Sequence, residues 1–369
     1  MACDRCGPSR ESGYSFCPGC GASLSEGCLY CDQYEKEGYE FCGKCGRRLE
    51  RAEPTQAKMD PLRMAAIVSM PFILILLAVE LAVMLWGAAD VWTFLADKTT
   101  YLFVLTPSVQ EIFALDGLAL QTYWIVLILA IVASAVLVIV QSRDMLRPDS
   151  GGDTARAERT PLYWLCLTFG SMIILNIIVS VVQGMFGSTL EVPEWILDMS
   201  REEMLFQMAE AAVWEEVASR ILPIGVPLTI LAVCYGRRDA LRHLVGGTGV
   251  TRVSLALILI SSLAFGFAHV DSWSYAKMIP AAIGGVIMGY LYVRFGVHVS
   301  ILFHFLTDYM TCSSYLIGEV ALGSIVLLVM ITGLVCMVGL LSRTFNGLSG
   351  IADMPVTGMD QDSRDSRDD

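Results

Sequence analysis

Residues 118–141 read LALQTYWIVLILAIVASAVLVIVQ, a stretch without a single charged side chain. A helix of roughly 20 apolar residues is long enough to span the hydrocarbon core of a bilayer. Cores of soluble domains seldom contain uninterrupted runs of this length, so the stretch predicts a membrane-spanning helix.

Apolar runs of similar character recur along the chain. They predict eight membrane-spanning helices, give or take one, at 62–86, 118–141, 162–186, 205–235, 252–270, 277–294, 297–311 and 319–341. The fourth contains Pro223 and Pro227, which predict a kink or a break. In the sixth, Gly284, Gly285 and Gly289 form a small-residue face suited to close helix packing. The predicted fold is therefore an all-α polytopic membrane protein.

The overall composition agrees with a bilayer environment. Of the 369 residues, 55% are hydrophobic and 17% are charged, whereas soluble domains carry about 25% charged residues. The net charge is −12 and there is no basic stripe with interleaved aromatics, which argues against a nucleic-acid partner. The N-terminus lacks a basic segment followed by an apolar core, so no cleaved signal peptide is predicted.

Arginines are concentrated in alternate loops. The basic segments are 47–63, 143–159 and 237–252, together with Arg294 and Arg343, while 90–116 and 191–203 are acidic. Because positively charged loops stay in the cytoplasm, both termini are predicted to be cytoplasmic. The aromatic-rich stretch 90–116 is predicted to lie in the outer membrane interface.

The first 50 residues contain one cysteine motif written twice. Units 3–24 and 28–49 each read C-x2-C-x10-C-x2-C at a constant offset of 25 residues. Four thiolates close a tetrahedron around Zn²⁺, and such a closed site is structural rather than catalytic. The predicted zinc ligands are Cys3, Cys6, Cys17, Cys20, Cys28, Cys31, Cys42 and Cys45. The repeat resembles the double zinc ribbon of many prokaryotic membrane proteins; a disulfide-linked miniprotein is the alternative.

These signals divide the chain into six predicted parts. They are tandem ribbons at 1–50, a linker at 51–61, two membrane helices at 62–141, a cytoplasmic linker at 142–160, a membrane core at 161–342 and a disordered acidic tail at 343–369.

Several ionisable side chains interrupt the apolar spans of the second half. Such groups are costly in a bilayer and are functional candidates by default. Phe265, which lies one helical turn before the first of the two histidines, is added to them as a neighbouring aromatic residue. The full set is Glu215, Glu216, Arg220, Phe265, His269, His304 and Asp308. Glu216 and Arg220 have the i,i+4 spacing of a helical ion pair, and His304 and Asp308 share that spacing.

With both histidines neutral, the four other ionisable groups of this set sum to −2. A low-dielectric site does not hold that charge unmodified. A carboxylate keeps its proton, a histidine gains one, or a cation binds. The first two cases produce an acid/base pair that can activate water, and the third produces a metal site.

The same residues resemble the CAAX-protease-like family, also called CPBP or Abi. Glu215-Glu216-Val-Ala-Ser-Arg220 matches its Glu-Glu-x-x-x-Arg motif, and Phe265-Gly-Phe-Ala-His269 matches Phe-x-x-x-His. His304-Phe-Leu-Thr-Asp308 matches the third motif, His-x-x-x-Asn/Asp. The resemblance covers about 160–341 and does not include the ribbons.

The resemblance implies an all-helical core with a water-accessible cavity. Glu215 and His269 would then polarise the attacking water, and His304 and Asp308 would stabilise the oxyanion. Glu216 and Arg220 would fix the geometry, with Phe265 in the substrate pocket. The prenyl-protease members carry asparagine where this chain has Asp308, and an ionised aspartate cannot donate a hydrogen bond to an oxyanion. This departure weakens the specific assignment to CAAX substrates.

The leading hypothesis is an intramembrane endopeptidase that uses activated water on membrane-associated substrates, with prenylated CAAX-type peptides among the candidates. A variant has Zn²⁺ bound by Glu215, His269 and His304, but catalytic zinc is not favoured. A non-catalytic scaffold or immunity-type protein, whose ribbons recruit a cytosolic partner, is the main alternative. A transporter is a third, since membrane carboxylates also build proton relays.

The predicted location is the plasma membrane of a prokaryote, and the predicted partners are the bilayer, a membrane-anchored substrate and a cytosolic ligand of the ribbons. The spans as predicted place His269 near the outer end and His304 nearer the cytoplasm. The side from which substrate approaches stays open at this point.

Overall fold

The computed structural model describes residues 61–106, 108–146, 158–347, 350–351 and 354–357. The described residues belong to one compact unit that begins at Pro61. Both predicted ribbons, nearly all of the 51–61 linker and most of the 142–160 linker lie outside the described residues. The predicted tail lies outside them from 358 onward, whereas its first residues, 343–347, continue the last helix.

Long apolar helices make up most of the described chain. In chain order they are α1 (Pro61–Phe94), α2 (Gly117–Gln141), α3 (Pro161–Met185), α4 (Arg201–Cys234), α5 (Arg252–Ala268), α6 (Tyr275–Phe295), α7 (Val297–Asp308) and α8 (Ser314–Gly347). Short helical segments lie between them at Leu95–Asp97, Arg143–Leu146, Glu194–Leu197, Ala240–Val245, Val270–Trp273 and Tyr309–Ser313. The chain is a multi-pass membrane protein, as the hydrophobic runs predict.

Seven continuous helical segments of the described residues are long and apolar enough to cross a membrane. The last of them, Val297–Gly347, contains 51 residues, far more than one crossing needs. Gly318, with φ 77° and ψ 161°, interrupts it and separates the two predicted spans 297–311 and 319–341. A positive φ of this kind is readily adopted only by glycine.

Contacts at the helix ends show that α7 and α8 run in opposite directions. His298, at the start of α7, lies 2.8 Å from the Gln141 side chain at the end of α2. Arg343, near the end of α8, lies 3.5 Å from Glu158, just before α3. The end of α2 and the start of α3 are joined by a 3.0 Å hydrogen bond from the Leu162 N–H. The segment therefore doubles back. The number of candidate membrane-crossing segments among the described residues, seven, is within one of the eight spans predicted.

The two ends of the bundle differ in chemistry. We call one the basic end, because the loop arginines follow α2, α4 and α6 there. The opposite end carries a two-stranded antiparallel hairpin, β1 (Thr99–Thr106) and β2 (Ser108–Asp116), and we call it the hairpin end. The all-α prediction did not include this hairpin, although its position between α1 and α2 falls within the predicted interfacial stretch.

Small residues bring the helices that carry the candidate site into close contact. A Cβ atom on Gly285 would lie 3.0 Å from the Ser262 side chain, and one on Gly289 would lie 2.9 Å from Ile258. The predicted small-residue face of α6 therefore packs directly on α5, with the exception of Gly284, which faces Met172 of α3 instead.

Candidate active site

The first motif lies in a widened part of α4. Residues Ala211–Glu215 and Val217–Gly225 form π-helical turns. Pro223 cannot donate a backbone hydrogen bond, and wider turns accommodate that loss without a break. Pro227 follows in the first turn of the α-helical segment Val226–Cys234, directly after the wide turns. The helix thus stays continuous, and the break that the prolines allowed does not occur.

Serine side chains bond to the carbonyl groups of these wide turns. The Ser219 hydroxyl donates to the carbonyl of Glu215, and the Ser261 hydroxyl of α5 donates to the carbonyl of Ser219. Short polar side chains commonly satisfy backbone groups in this way. The π turns are consequently tied to α5, which carries the second motif.

Glu216 is the centre of a fully buried network. Its carboxylate lies 3.4 Å from Nε of Arg220 and 2.9 Å from Nδ1 of His304. It also accepts a hydrogen bond from the Ser300 hydroxyl. The side chains of Glu216 and Arg220 have no solvent exposure. The i,i+4 ion pair predicted from sequence is present, and it is extended across the interface to α7.

His304 connects this network to two further carboxylates. Its Nε2 atom lies 3.2 Å from Asp308 and 3.7 Å from Glu215. The ring therefore has a carboxylate at each nitrogen, since Nδ1 faces Glu216. Unlike Glu216, Glu215 and Asp308 keep 21% and 29% of their side chains exposed. Water can thus reach one side of the cluster and not the other.

Phe265 holds the second histidine next to this cluster. Its ring centroid lies 4.7 Å from that of His269, 6.2 Å from that of His304 and 5.0 Å from the guanidinium carbon of Arg220. Both histidines therefore lie beside the same phenylalanine ring, although the predicted spans place His269 near the outer end and His304 nearer the cytoplasm. Span order alone says nothing about how far neighbouring helices are shifted along their axes.

The tautomer of His269 follows from its hydrogen bond. Nδ1 lies 2.8 Å from the Phe265 carbonyl oxygen. A carbonyl can only accept, so Nδ1 donates this hydrogen bond, and Nε2 is the nitrogen whose lone pair a neutral ring presents. His269 is thus oriented to accept a hydrogen bond from water.

A cavity of about 400 Å³ adjoins the cluster. Its wall includes Glu215, Ser219, Phe265 and His269 from α4 and α5. Phe103, Leu105 and Val109 of the hairpin, together with Ala268, Asp271 and Ser272, complete the lining. All seven predicted site residues come together here, with Glu215 and His269 on the cavity wall and Glu216 and Arg220 behind it.

Residues 202–310 match the family model described as type II CAAX prenyl endopeptidase Rce1-like. This Rce1-like region runs from α4 to the turn after α7 and contains all seven motif residues. It is narrower than the predicted resemblance over 160–341, and it supports a CAAX-protease-like assignment for this part of the chain. Comparisons with curated proteins and with solved structures found no match.

The zinc variant stays a prediction for the Rce1-like region. Among the described residues, no group of three or more His, Cys, Asp or Glu side chains is arranged to hold a metal ion. The ribbon cysteines lie outside the described residues.

Two supporting features were missed at the sequence level. Ser300 donates to Glu216 and lies one helical turn before His304, so an i−4 search from the motif histidine would have found it. The hairpin contributes three residues to the cavity, and its β-branched and aromatic residues from Thr99 to Val104 are typical of a strand.

Proposed function

We propose that this chain is an intramembrane endopeptidase that hydrolyses peptide bonds of membrane-associated substrates through an activated water. The observation that carries the proposal is that Glu215 and His269 lie on one cavity wall, backed by the buried Glu216–Arg220–His304 network. The match of residues 202–310 to the Rce1-like family supports the same reaction class.

In the proposed reaction, Glu215 accepts a proton from water as the oxygen attacks the scissile carbonyl. His269 orients that water through the lone pair on Nε2. The carbonyl π bond opens to a tetrahedral oxyanion, which then collapses as the C–N bond breaks. The proton held by Glu215 passes to the leaving amine, so the carboxylate is regenerated and no covalent enzyme intermediate forms.

His304 and Asp308 act on the oxyanion side of this reaction. Asp308, when ionised, can only accept hydrogen bonds, and its oxygen lies 3.2 Å from Nε2 of His304. We assign Asp308 to positioning His304, whose imidazolium charge stabilises the oxyanion. Glu216 holds the opposite ring nitrogen and is itself held by Arg220. This arrangement explains how aspartate can replace the asparagine of the prenyl-protease members.

The test is peptidase activity of the purified full chain in nanodiscs. Substrates are a membrane-peptide library and a prenylated CAAX peptide. Replacing Glu215→Gln removes the proton acceptor but keeps the shape, so kcat should fall about 10²- to 10⁴-fold. Glu319→Gln, at an exposed position of α8, is the matched control and should behave like wild type. Wild-type kcat in the Glu215→Gln variant would refute the assignment of the base.

The proposed membrane orientation places the basic end and both termini in the cytoplasm of a prokaryotic cell. The arginines at that end support it through the positive-inside rule. We further propose that the eight ribbon cysteines bind two structural zinc ions and that the ribbons dock a cytosolic partner. The cytoplasm is reducing, which favours thiolate ligands over disulfides.

A further inference from the structure

The hairpin is an addition to the Rce1-like region that reaches into its cavity. Phe103 and Leu105 are two residues apart on β1 and so share one face. Val109 of β2 is the partner of Leu105 in the strand register, and directly opposed residues of a pair share a face. All three side chains line the cavity that contains Glu215 and His269. One face of the hairpin is therefore a wall of the candidate active site.

Two features hold that wall in place. The indole N–H of Trp214 donates a 2.9 Å hydrogen bond to the Phe103 carbonyl, and Trp214 directly precedes Glu215. The strand register also shifts between Leu102 and Phe103. Irregularities of this kind re-aim side chains and are common beside active sites. The position of Phe103 is thus tied to that of the proposed base.

The opposite face of the same hairpin does not line the cavity. Phe113 pairs with Leu102 in the register, so its side chain points away from the Phe103 face. It is 61% exposed. The hairpin consequently offers two phenylalanines in the same structural element, of which one lines the cavity and the other does not.

We infer that this hairpin is the substrate-selecting element and that it accepts an extended peptide with a bulky apolar side chain next to the scissile bond, approaching from the hairpin end. This inference rests on the proposed peptidase function. The cavity is lined by Phe103, Leu105 and Val109 on the hairpin side, which favours an apolar side chain. Asp271 and Glu215 on the remaining wall disfavour an acidic one.

The direction from which the peptide approaches follows from the position of the cavity-lining residues in the bundle. The hairpin connects α1 to α2, and Asp271 and Ser272 lie in the turn between α5 and α6. Both connections are at the hairpin end, opposite the loop arginines. In the proposed orientation the peptide therefore reaches the site from outside the cytoplasm.

The first experiment measures selectivity. Two peptides that differ only by Phe or Ala beside the scissile bond are hydrolysed by the full chain in nanodiscs, and the ratio of their kcat/KM values is compared. Wild type should prefer Phe. Phe103→Ala should reduce that ratio about 10-fold or more, the usual effect of lost apolar contact with a substrate side chain. Phe113→Ala should keep the wild-type ratio. An unchanged ratio in Phe103→Ala would overturn the inference.

Additional measurements distinguish failure of the proposed peptidase function from failure of the hairpin's role in selecting substrates. If wild type hydrolyses no peptide, the proposed function fails; if it does so but Phe103→Ala keeps its selectivity, only the hairpin role fails. Phe103→Leu retains an apolar side chain and should keep part of the selectivity, which distinguishes altered recognition from misfolding. In sealed proteoliposomes of sorted orientation, a membrane-impermeant peptide should be cleaved only when the hairpin end faces it. Cleavage only from the basic end would overturn the direction of approach.

Discussion

Replacing Arg220→Met should destabilise the helix bundle more than a typical substitution does. Arg220 and Glu216 are both fully buried, with 3.4 Å between Nε and the carboxylate. The guanidinium also donates a 3.1 Å hydrogen bond to the Ser219 carbonyl and lies over the Phe265 ring. Methionine is a flexible, apolar side chain that adapts to irregular spaces, so the main loss is the positive charge.

The expected loss in the free energy of unfolding follows from the contacts that Glu216 keeps after the substitution. Glu216 would keep its hydrogen bonds from His304 and Ser300 but would lose its permanent cation. Removing one partner of a buried ion pair costs about 3–5 kcal/mol, because the other charge stays uncompensated. A desolvated cation–π contact contributes about 2 kcal/mol, and the two effects overlap because the same charge makes both. We therefore expect a loss of about 3–5 kcal/mol in the free energy of unfolding.

The assay is reversible unfolding of the purified protein in detergent micelles, combined with a double-mutant cycle. Glu216→Gln removes the other charge of the pair and keeps an amide that can hydrogen-bond. The double variant should be more stable than Arg220→Met alone, because no unpaired carboxylate remains, and the two effects should be strongly non-additive. Additive effects, or an Arg220→Met variant within 1 kcal/mol of wild type (a difference of about fivefold in the folding equilibrium), would refute the reasoning.

Two further predictions concern helix packing and the ribbons. Gly170→Ala should lower stability by about 1–3 kcal/mol, because the new Cβ would lie 2.7 Å from a backbone oxygen of α8. Gly323→Ala, whose Cβ would meet no atom of another helix within 4 Å, should not lower the unfolding midpoint, because alanine is the better helix former. Equal destabilisation by the two would contradict this. The purified full chain should contain two zinc ions by elemental analysis, and replacing the eight ribbon cysteines by serine should remove both. One residual zinc ion, lost on His269→Ala, would instead support the catalytic-metal variant.

The features predicted from sequence are those that depend on local pattern. Membrane spans follow from hydrophobic length alone, which is why most helix ends agree with the structure. The pairs Glu216–Arg220 and His304–Asp308 follow from i,i+4 spacing on a helix, and both are in contact. Neither inference requires knowledge of how the helices pack against one another.

The features that sequence did not predict depend on helix packing. The contact between His304 and Glu216 joins α7 to α4 across 88 positions of the chain, and no local period encodes it. The proximity of His269 to the Phe265 ring and the cluster is likewise set by how α5 packs against its neighbours. In a membrane protein the outward face is also apolar, so hydrophobic periodicity distinguishes the lipid-facing side from the buried side poorly.

The hairpin contributes to the cavity but contains none of the three sequence motifs. The seven motif residues lie within the Rce1-like region and supply every group that the proposed reaction needs. The three apolar residues that narrow the cavity lie outside that region, in the connection between α1 and α2. In the proposed reaction and the inferred selection, two separate stretches of the chain therefore carry chemistry and selection, and the Trp214 hydrogen bond to Phe103 joins them. A protein with the same three motifs but a different connection between its first two helices should keep the reaction and change the peptide that it accepts.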